Sequence, residues 1–245
     1  MRCRRVTILI GTAGWNIPRH ASAGFPQNGS ALERYAAKFP VVEINSSFHR
    51  PHRVSTWERW RDSVPGDFRF SVKIPKTITH NRKLMECDGA LDEFLRQAEV
   101  LGAKLGVLLV QLPPKLSFQS AVTRAFFSML RDRTRADIAC EPRHVSWFTN
   151  EASGLLEQLG VARVAADPSI CETAALPGDW GTLSYWRLHG SPVVYRSSYL
   201  SRIDHYGRQL HHEAARGRRV WCIFDNTASS AGVSDAQALL HRTDV

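Results

Sequence analysis

Eight times along this chain a short apolar run, most often β-branched, stops at a polar or charged residue. The runs are Val6 to Gly11 before Thr12, Val41 to Asn45 carrying Glu43 and Asn45, Phe68 to Lys73, Leu105 to Leu112 with Gln111 near its end, Asp137 to Glu141, Ala162 to Ala166 before Asp167, Ser184 to His189 with Arg187 and His189, and Arg219 to Phe224 before Asp225-Asn226. Pro75, Pro113, Pro142 and Pro168 follow four of them, and proline removes a backbone donor and bars continuation of a ladder. The stretch from Asp137 to Phe148 shows the pattern most densely. Its strand ends in Glu141, and Arg143 and His144 come directly after Pro142, so a carboxylate, a permanent cation and a group titrating near neutral pH share one strand end.

Between the runs lie segments with helical spacing. Ser30 caps a helix to about Lys38, with Leu32, Tyr35, Ala36 and Phe39 on one face, and Val54, Trp57 and Trp60 share a face of the next. Further helices are expected over Ala90 to Leu101, Ser120 to Leu130, Glu151 to Leu159, Tyr199 to Ala215 and Ser234 to His241. Continuous apolar strands alternating with helices are what a parallel sheet buries on both faces. Eight such units in 245 residues predict a single-domain, TIM-like (β/α)8 barrel over residues 1–245, with its site at the C-terminal mouth. A doubly wound open sheet is the alternative, but it needs no polar group at most strand ends.

Lys plus Arg outnumber Asp plus Glu by 32 to 23, a formal charge of +9 that favours anionic partners. Five widely spaced cysteines with no Cys-x-x-Cys pair read as free thiols. No run approaches a membrane span of about 20 apolar residues, so a soluble cytoplasmic protein is expected.

Seven motifs occur in order over essentially the whole chain. They are Gly11-Thr12-Ala13-Gly14-Trp15, the Val42 to Phe48 segment, Phe70-Ser71-Val72-Lys73 followed by Thr79-His80, Lys104 to Pro114, Glu141 to Phe148, Arg187-Leu188-His189-Gly190, and Phe224-Asp225-Asn226. With them the chain resembles the DUF72 (YecE-like) family of uncharacterised proteins. That resemblance implies a TIM-barrel-like fold and supplies no activity. Two positions depart from the family pattern: Phe-Asn-Asn-Asp becomes Phe224-Asp225-Asn226-Thr227, and a family Tyr becomes His49.

A barrel would gather the strand-end groups at one mouth. Mixed carboxylates and cations there predict acid/base chemistry, with Glu43 and Glu141 as general base and acid and His189 as a second proton carrier. Lys73, Arg143 and Arg187 would fix an anionic group of a small phosphorylated or carboxylated substrate. Trp15, Asn45, His80, Gln111, His144, Asp167 and Asn226 complete the expected binding set. The loops after the last two strands, with Gly190-Ser191 and Thr227 to Gly232, are either a phosphate cradle or simple helix caps. Glu43, Glu141, Asp167 and His189 are also ligand types for a divalent metal, although the nearby cations would repel one and no ligand spacing identifies it. No motif identifies a cofactor. The alternative reading is a nucleic-acid-binding or nucleic-acid-processing protein, divalent-metal-dependent in one version, on the strength of the basic charge and available aromatics.

Overall fold

A computed structural model of the chain describes residues 8–243. The basic cluster at residues 2–5, Cys3 and the expected strand start at Val6 lie outside the described residues. The strands are β1 (Ile8–Ala13), β2 (Val41–Ile44), β3 (Arg69–Lys73), β4 (Leu105–Gln111), β5 (Asp137–Glu141), β6 (Val161–Arg163), β7 (Ala165–Asp167), β8 (Gly178–Asp179), β9 (Leu183–Leu188) and β10 (Arg219–Phe224). Helices fall between them: α1 (Ala31–Ala36), α2 (Ser46–His49), α3 (Val54–Asp62), α4 (Asp88–Ala98), α5 (Ser120–Arg133), α6 (Asn150–Gln158), α7 (Ile203–Ala215) and α8 (Ala231–Thr243).

The sheet runs β7-β9-β10-β1-β2-β3-β4-β5-β6-β8, and the pairings are parallel except where the two-residue β8 meets β6. β6 pairs with β5 while β7 pairs with β9, so consecutive short strands on either side of Val164 join the two ends of the sheet into a nearly closed barrel. The expected single strand from Ala162 to Ala166 is therefore two. The chain changes partner at Val164, whose amide still bonds to Cys140 O at 2.8 Å.

Strand side chains alternate between the barrel interior and the helix layer. Val41, Val107, Leu109, Ala139, Ala162, Tyr185, Trp221 and Ile223 fill the interior, whereas Val42, Phe70, Leu108, Ile138 and Phe224 pack outward with helix residues such as Trp57, Leu91, Phe127 and Leu239. Each large aliphatic side chain buried this way contributes roughly 1.5–3 kcal/mol. Two residues further along each strand the inward position turns polar. Val41 gives way to Glu43, Leu109 to Gln111, Ala139 to Glu141, Tyr185 to Arg187 and Ile223 to Asp225.

Local chemistry sets the helix boundaries. Ser30 caps α1 through a full capping box in which its own amide donates to Glu33 Oε2 at 2.7 Å. From α1 the Tyr35 hydroxyl accepts from Thr12 N at 2.8 Å and donates to Val41 O at 3.0 Å, tying β1 to β2. Three expectations need correction. β2 ends at Ile44, and Asn45 takes helical angles (φ −95°, ψ −17°) leading into α2, so it leaves the alternation that placed it beside Glu43. α4 stops at Ala98 and is followed by 3-10 turns over Glu99–Lys104, which Gly102 interrupts at φ +56°. The helix expected from Tyr199 begins as a 3-10 turn at Leu200–Arg202 before α7. Among the described residues no helix is long and apolar enough to cross a membrane.

Candidate functional site

Arg187, on β9, is 0% exposed and lies under the mouth. A guanidinium so placed is tolerated only if its donors are satisfied. Its Nε and Nη2 meet Glu43 at 3.0 and 2.7 Å in a bidentate fork, Nη1 meets Glu141 Oε2 at 2.5 Å and Gln111 Oε1 at 3.1 Å, and Nη2 also meets Asp225 Oδ2 at 2.9 Å. Glu43, itself 0% exposed, additionally accepts from the Tyr185 hydroxyl at 2.9 Å, and that hydroxyl lies 2.7 Å from Ser71 Oγ. Residues from β2, β3, β4, β5, β9 and the end of β10 thus meet in one bonded layer.

His189 continues this layer toward solvent. Its Nδ1 is 2.9 Å from Asp225 Oδ2 and its Nε2 is 3.1 Å from Glu141 Oε1. With a carboxylate facing each nitrogen, the imidazolium is the form that fits. Burial lowers its pKa and Arg187 opposes protonation, but Glu141 and the two hydrogen bonds outweigh them and the net shift is upward. Burial likewise pushes the Glu141 carboxyl up, yet Arg187, His189 and Arg143 hold it well below the ordinary range. Asp225 is lowered in the same way, burial being outweighed by Arg187 and His189.

Two further cations face the mouth. Arg143 pairs with Glu141 Oε1 at 3.0 Å and its side chain is 26% exposed. Lys73, the last residue of β3, is 8% exposed, with Nζ 4.1 Å from the centre of the Phe48 ring. Among the described residues its ammonium has no hydrogen-bond acceptor and no ion-pair partner. Burial, then Arg187, pushes its pKa down to about 8 against the pull of Glu43, Glu141 and Asp225. Ser47 Oγ donates to Lys73 O at 2.7 Å, which fixes α2 and Phe48 against the end of β3. His80 sits in the π-helical turn Thr77–Asn81 with its ring edge-on to Phe48 at 5.0 Å. Burial, Lys73, Arg143 and Lys76 all lower its pKa, which favours a neutral imidazole.

The remaining expected site residues take other positions. Trp15 packs edge-on against Trp60 of α3. His144 caps the 3-10 turn Val145–Phe148 by accepting from Ser146 N. Asp167 pairs with Arg202 at 2.8 Å and Tyr206 at 2.5 Å, away from Arg187. Asn226 donates to Ser197 O and to Asp235, holding the loop after β9 against α8. Asn45 starts α2 with Oδ1 buried and unpartnered among the described residues. The suggested metal donor set of Glu43, Glu141, Asp167 and His189 therefore does not assemble, and no group of three or more His, Cys, Asp or Glu among the described residues has the arrangement of a metal site.

Three contributors were not foreseen. Asp225 reads in the sequence as a strand-end residue and a departure from a family pattern, and it continues the inward alternation of Trp221 and Ile223. Tyr185 reads as an ordinary strand aromatic, and its spacing of two from Arg187 was the available signal. Tyr195, on the loop after β9, lies edge-on to the His189 ring at 5.9 Å, with its backbone at φ +64°.

Comparison with known proteins agrees with this architecture. The chain is 35% identical over 166 residues to UPF0759 protein YecE of Escherichia coli K12, covering 65% of this chain and 59% of that protein. It is 30% identical over 152 residues to UPF0759 protein YunF of Bacillus subtilis 168, covering 58% of this chain and 52% of that one. These matches thus span just over half the length of the relatives. Among solved structures, a DUF72 family protein of Enterococcus faecalis V583 superposes with a TM-score of 0.82 at 18% identity, covering 98% of this chain and 96% of that one. One from Thermotoga maritima MSB8 superposes at 0.79 and 20% identity, covering 98% and 100%. The family model described as "Protein of unknown function DUF72" matches residues 9–245, and the chain belongs to that family.

Proposed function

We propose that the barrel mouth binds a small anionic compound, phosphorylated or carboxylated, and acts on it by proton transfer. The observation that supports this reading best is the Lys73 ammonium, which among the described residues has no hydrogen-bond or ion-pair partner, on a mouth that also carries Arg143 and His189. The layer sets three carboxylates (Glu43, Glu141, Asp225) against four cations (Arg187, His189, Arg143, Lys73), which leaves the mouth one positive charge in excess when all are ionised. A ligand anion supplies the missing charge.

Roles follow from depth. Glu43 is enclosed beneath Arg187, so in this reading it orients the guanidinium and does not act as the general base. Glu141, pinned by Arg187, Arg143 and His189, is a poor base because its proton affinity is low. Lys73, poised near neutral pH, and His189 are the groups suited to move protons, since a catalytic group works best when its pKa lies near the working pH. Arg143 holds the ligand's anionic group.

The test is a melting-temperature and calorimetric screen of small phosphates and carboxylates against the wild type, Lys73→Met and Arg143→Gln. Saturable binding by the wild type that is weakened at least tenfold in both variants supports the reading. It is overturned if no small anion binds while single-stranded oligonucleotides bind with a steep salt dependence, the signature of a nucleic-acid surface.

A further inference from the structure

Lys73 and Lys104 differ in how their surroundings treat an ammonium group. Lys104 Nζ donates to Arg61 O at 2.5 Å and Val64 O at 2.6 Å, a site built for the charged form. Lys73 is the more deeply buried residue, and among the described residues its Nζ has no acceptor and lies over the face of Phe48. The charged groups acting on it come from several neighbouring elements: Arg187 on β9, Glu43 on β2, Glu141 on β5 and Asp225 after β10, while Arg143 and Lys76 join Lys73 around His80 on the loop after β3. The carboxylates among them are already engaged, by Arg187 and, for Glu141 and Asp225, by His189 as well. Burial and the neighbouring Arg187 guanidinium push the amine down to about 8 against the pull of the carboxylates and of the Phe48 ring face, which leaves a share of it with a free lone pair near neutral pH.

We propose that Lys73 is a nucleophile whose amine condenses with the carbonyl group of a small anionic aldehyde or ketone to form an imine. This inference rests on the reading of the mouth as a small-anion site. In the step, the Nζ lone pair attacks the carbonyl carbon and the C=O π pair moves to oxygen, which takes up a proton while nitrogen releases one. The carbinolamine then expels its hydroxyl as water as the C=N bond forms, so the amine and carbonyl yield the imine and one water. His80, neutral and packed on the same Phe48 ring, is placed to take the proton released by Nζ. Arg143 is placed to hold the substrate's anionic group, and the protonated imine then draws electrons from the neighbouring carbon, which is where proton transfer would follow.

The experiment treats the whole protein with two probes, pyridoxal 5′-phosphate and glyoxylate, with cyanoborohydride to fix any imine, and maps the modified lysines by mass spectrometry. The chain's lysines are Lys38, Lys73, Lys76, Lys83, Lys104 and Lys115. The expected result is modification of Lys73 at least tenfold faster than of the other five, half-maximal near pH 8, with no adduct at residue 73 in Lys73→Arg. Modification spread evenly over the exposed lysines overturns the inference, and wild-type mapping alone decides this even if the variant fails to fold. Inorganic phosphate serves as the separate control. If it raises the melting temperature while Lys73 stays unmodified, the imine fails and the anion site stands; if it does not bind and Lys73 stays unmodified, both fail.

Discussion

Arg187 shows how a single side chain can be both expensive and indispensable. Removing one partner of a buried ion pair costs about 3–5 kcal/mol because the other charge is left uncompensated, and here three carboxylates would be left. Arg187→Met is therefore expected to lower unfolding free energy by at least that much in urea titration, more than Arg143→Gln, whose side chain is partly exposed. His189 offers a test by titration. Its pKa is raised on folding, so its stabilising contribution is complete below the unfolded value of about 6.5 and is lost as pH climbs through the folded value. Proton NMR of the His189 ring should show a midpoint above the ordinary value of about 6.5, and Asp225→Asn should bring it down.

At the scale of elements, the loop after β9 is tied to α8 through Asp235. Asn226 holds Ser197 O and Asp235, while Asp235 holds Ser198 and Tyr199 N. Asn226→Ala should speed amide hydrogen exchange across residues 191–199 while leaving β1 to β5 protected, and a uniform change across the barrel would contradict this division. Tyr35→Phe removes the hydroxyl that joins α1 to β1 and β2 and leaves Thr12 N and Val41 O without it. A cost of about 1–3 kcal/mol is expected from thermal unfolding. What the chain revealed in advance follows the same division. Period-two alternation and proline stops make the strand ends readable, and Glu43, Lys73, Gln111, Glu141, Arg187 and His189 do stand at or next to the ends of their strands. Past a strand's last residue the alternation no longer holds, which is why Asn45, Asp167 and Asn226 were assigned to the mouth and turned out to start a helix or brace loops. Depth was not readable either, because it depends on how parallel strands stagger around a barrel: Gln111 lies level with Glu141, whereas Glu43 lies level with Ser71.

For the molecule as a whole, acid is the informative stress. Glu141 and Asp225 have folded pKa values below their unfolded ones, so their contribution is present above the unfolded value and disappears as pH falls through the depressed folded value. The barrel should keep its circular dichroism at about pH 4, the ordinary carboxylate range, and unfold only in stronger acid. The Arg187 layer also bears on the order in which the barrel is assembled. Its bonds join residues 144, 76, 46 and 38 positions apart, so each must wait for a long loop to close. Until β9 arrives, Glu43 and Glu141 have no Arg187 to neutralise them, and the half-built barrel must keep its upper interior wet or protonate those acids. Docking of β9 is then the event that dries the upper interior, and refolding should quicken as pH is lowered toward the point where the acids no longer need a counter-charge.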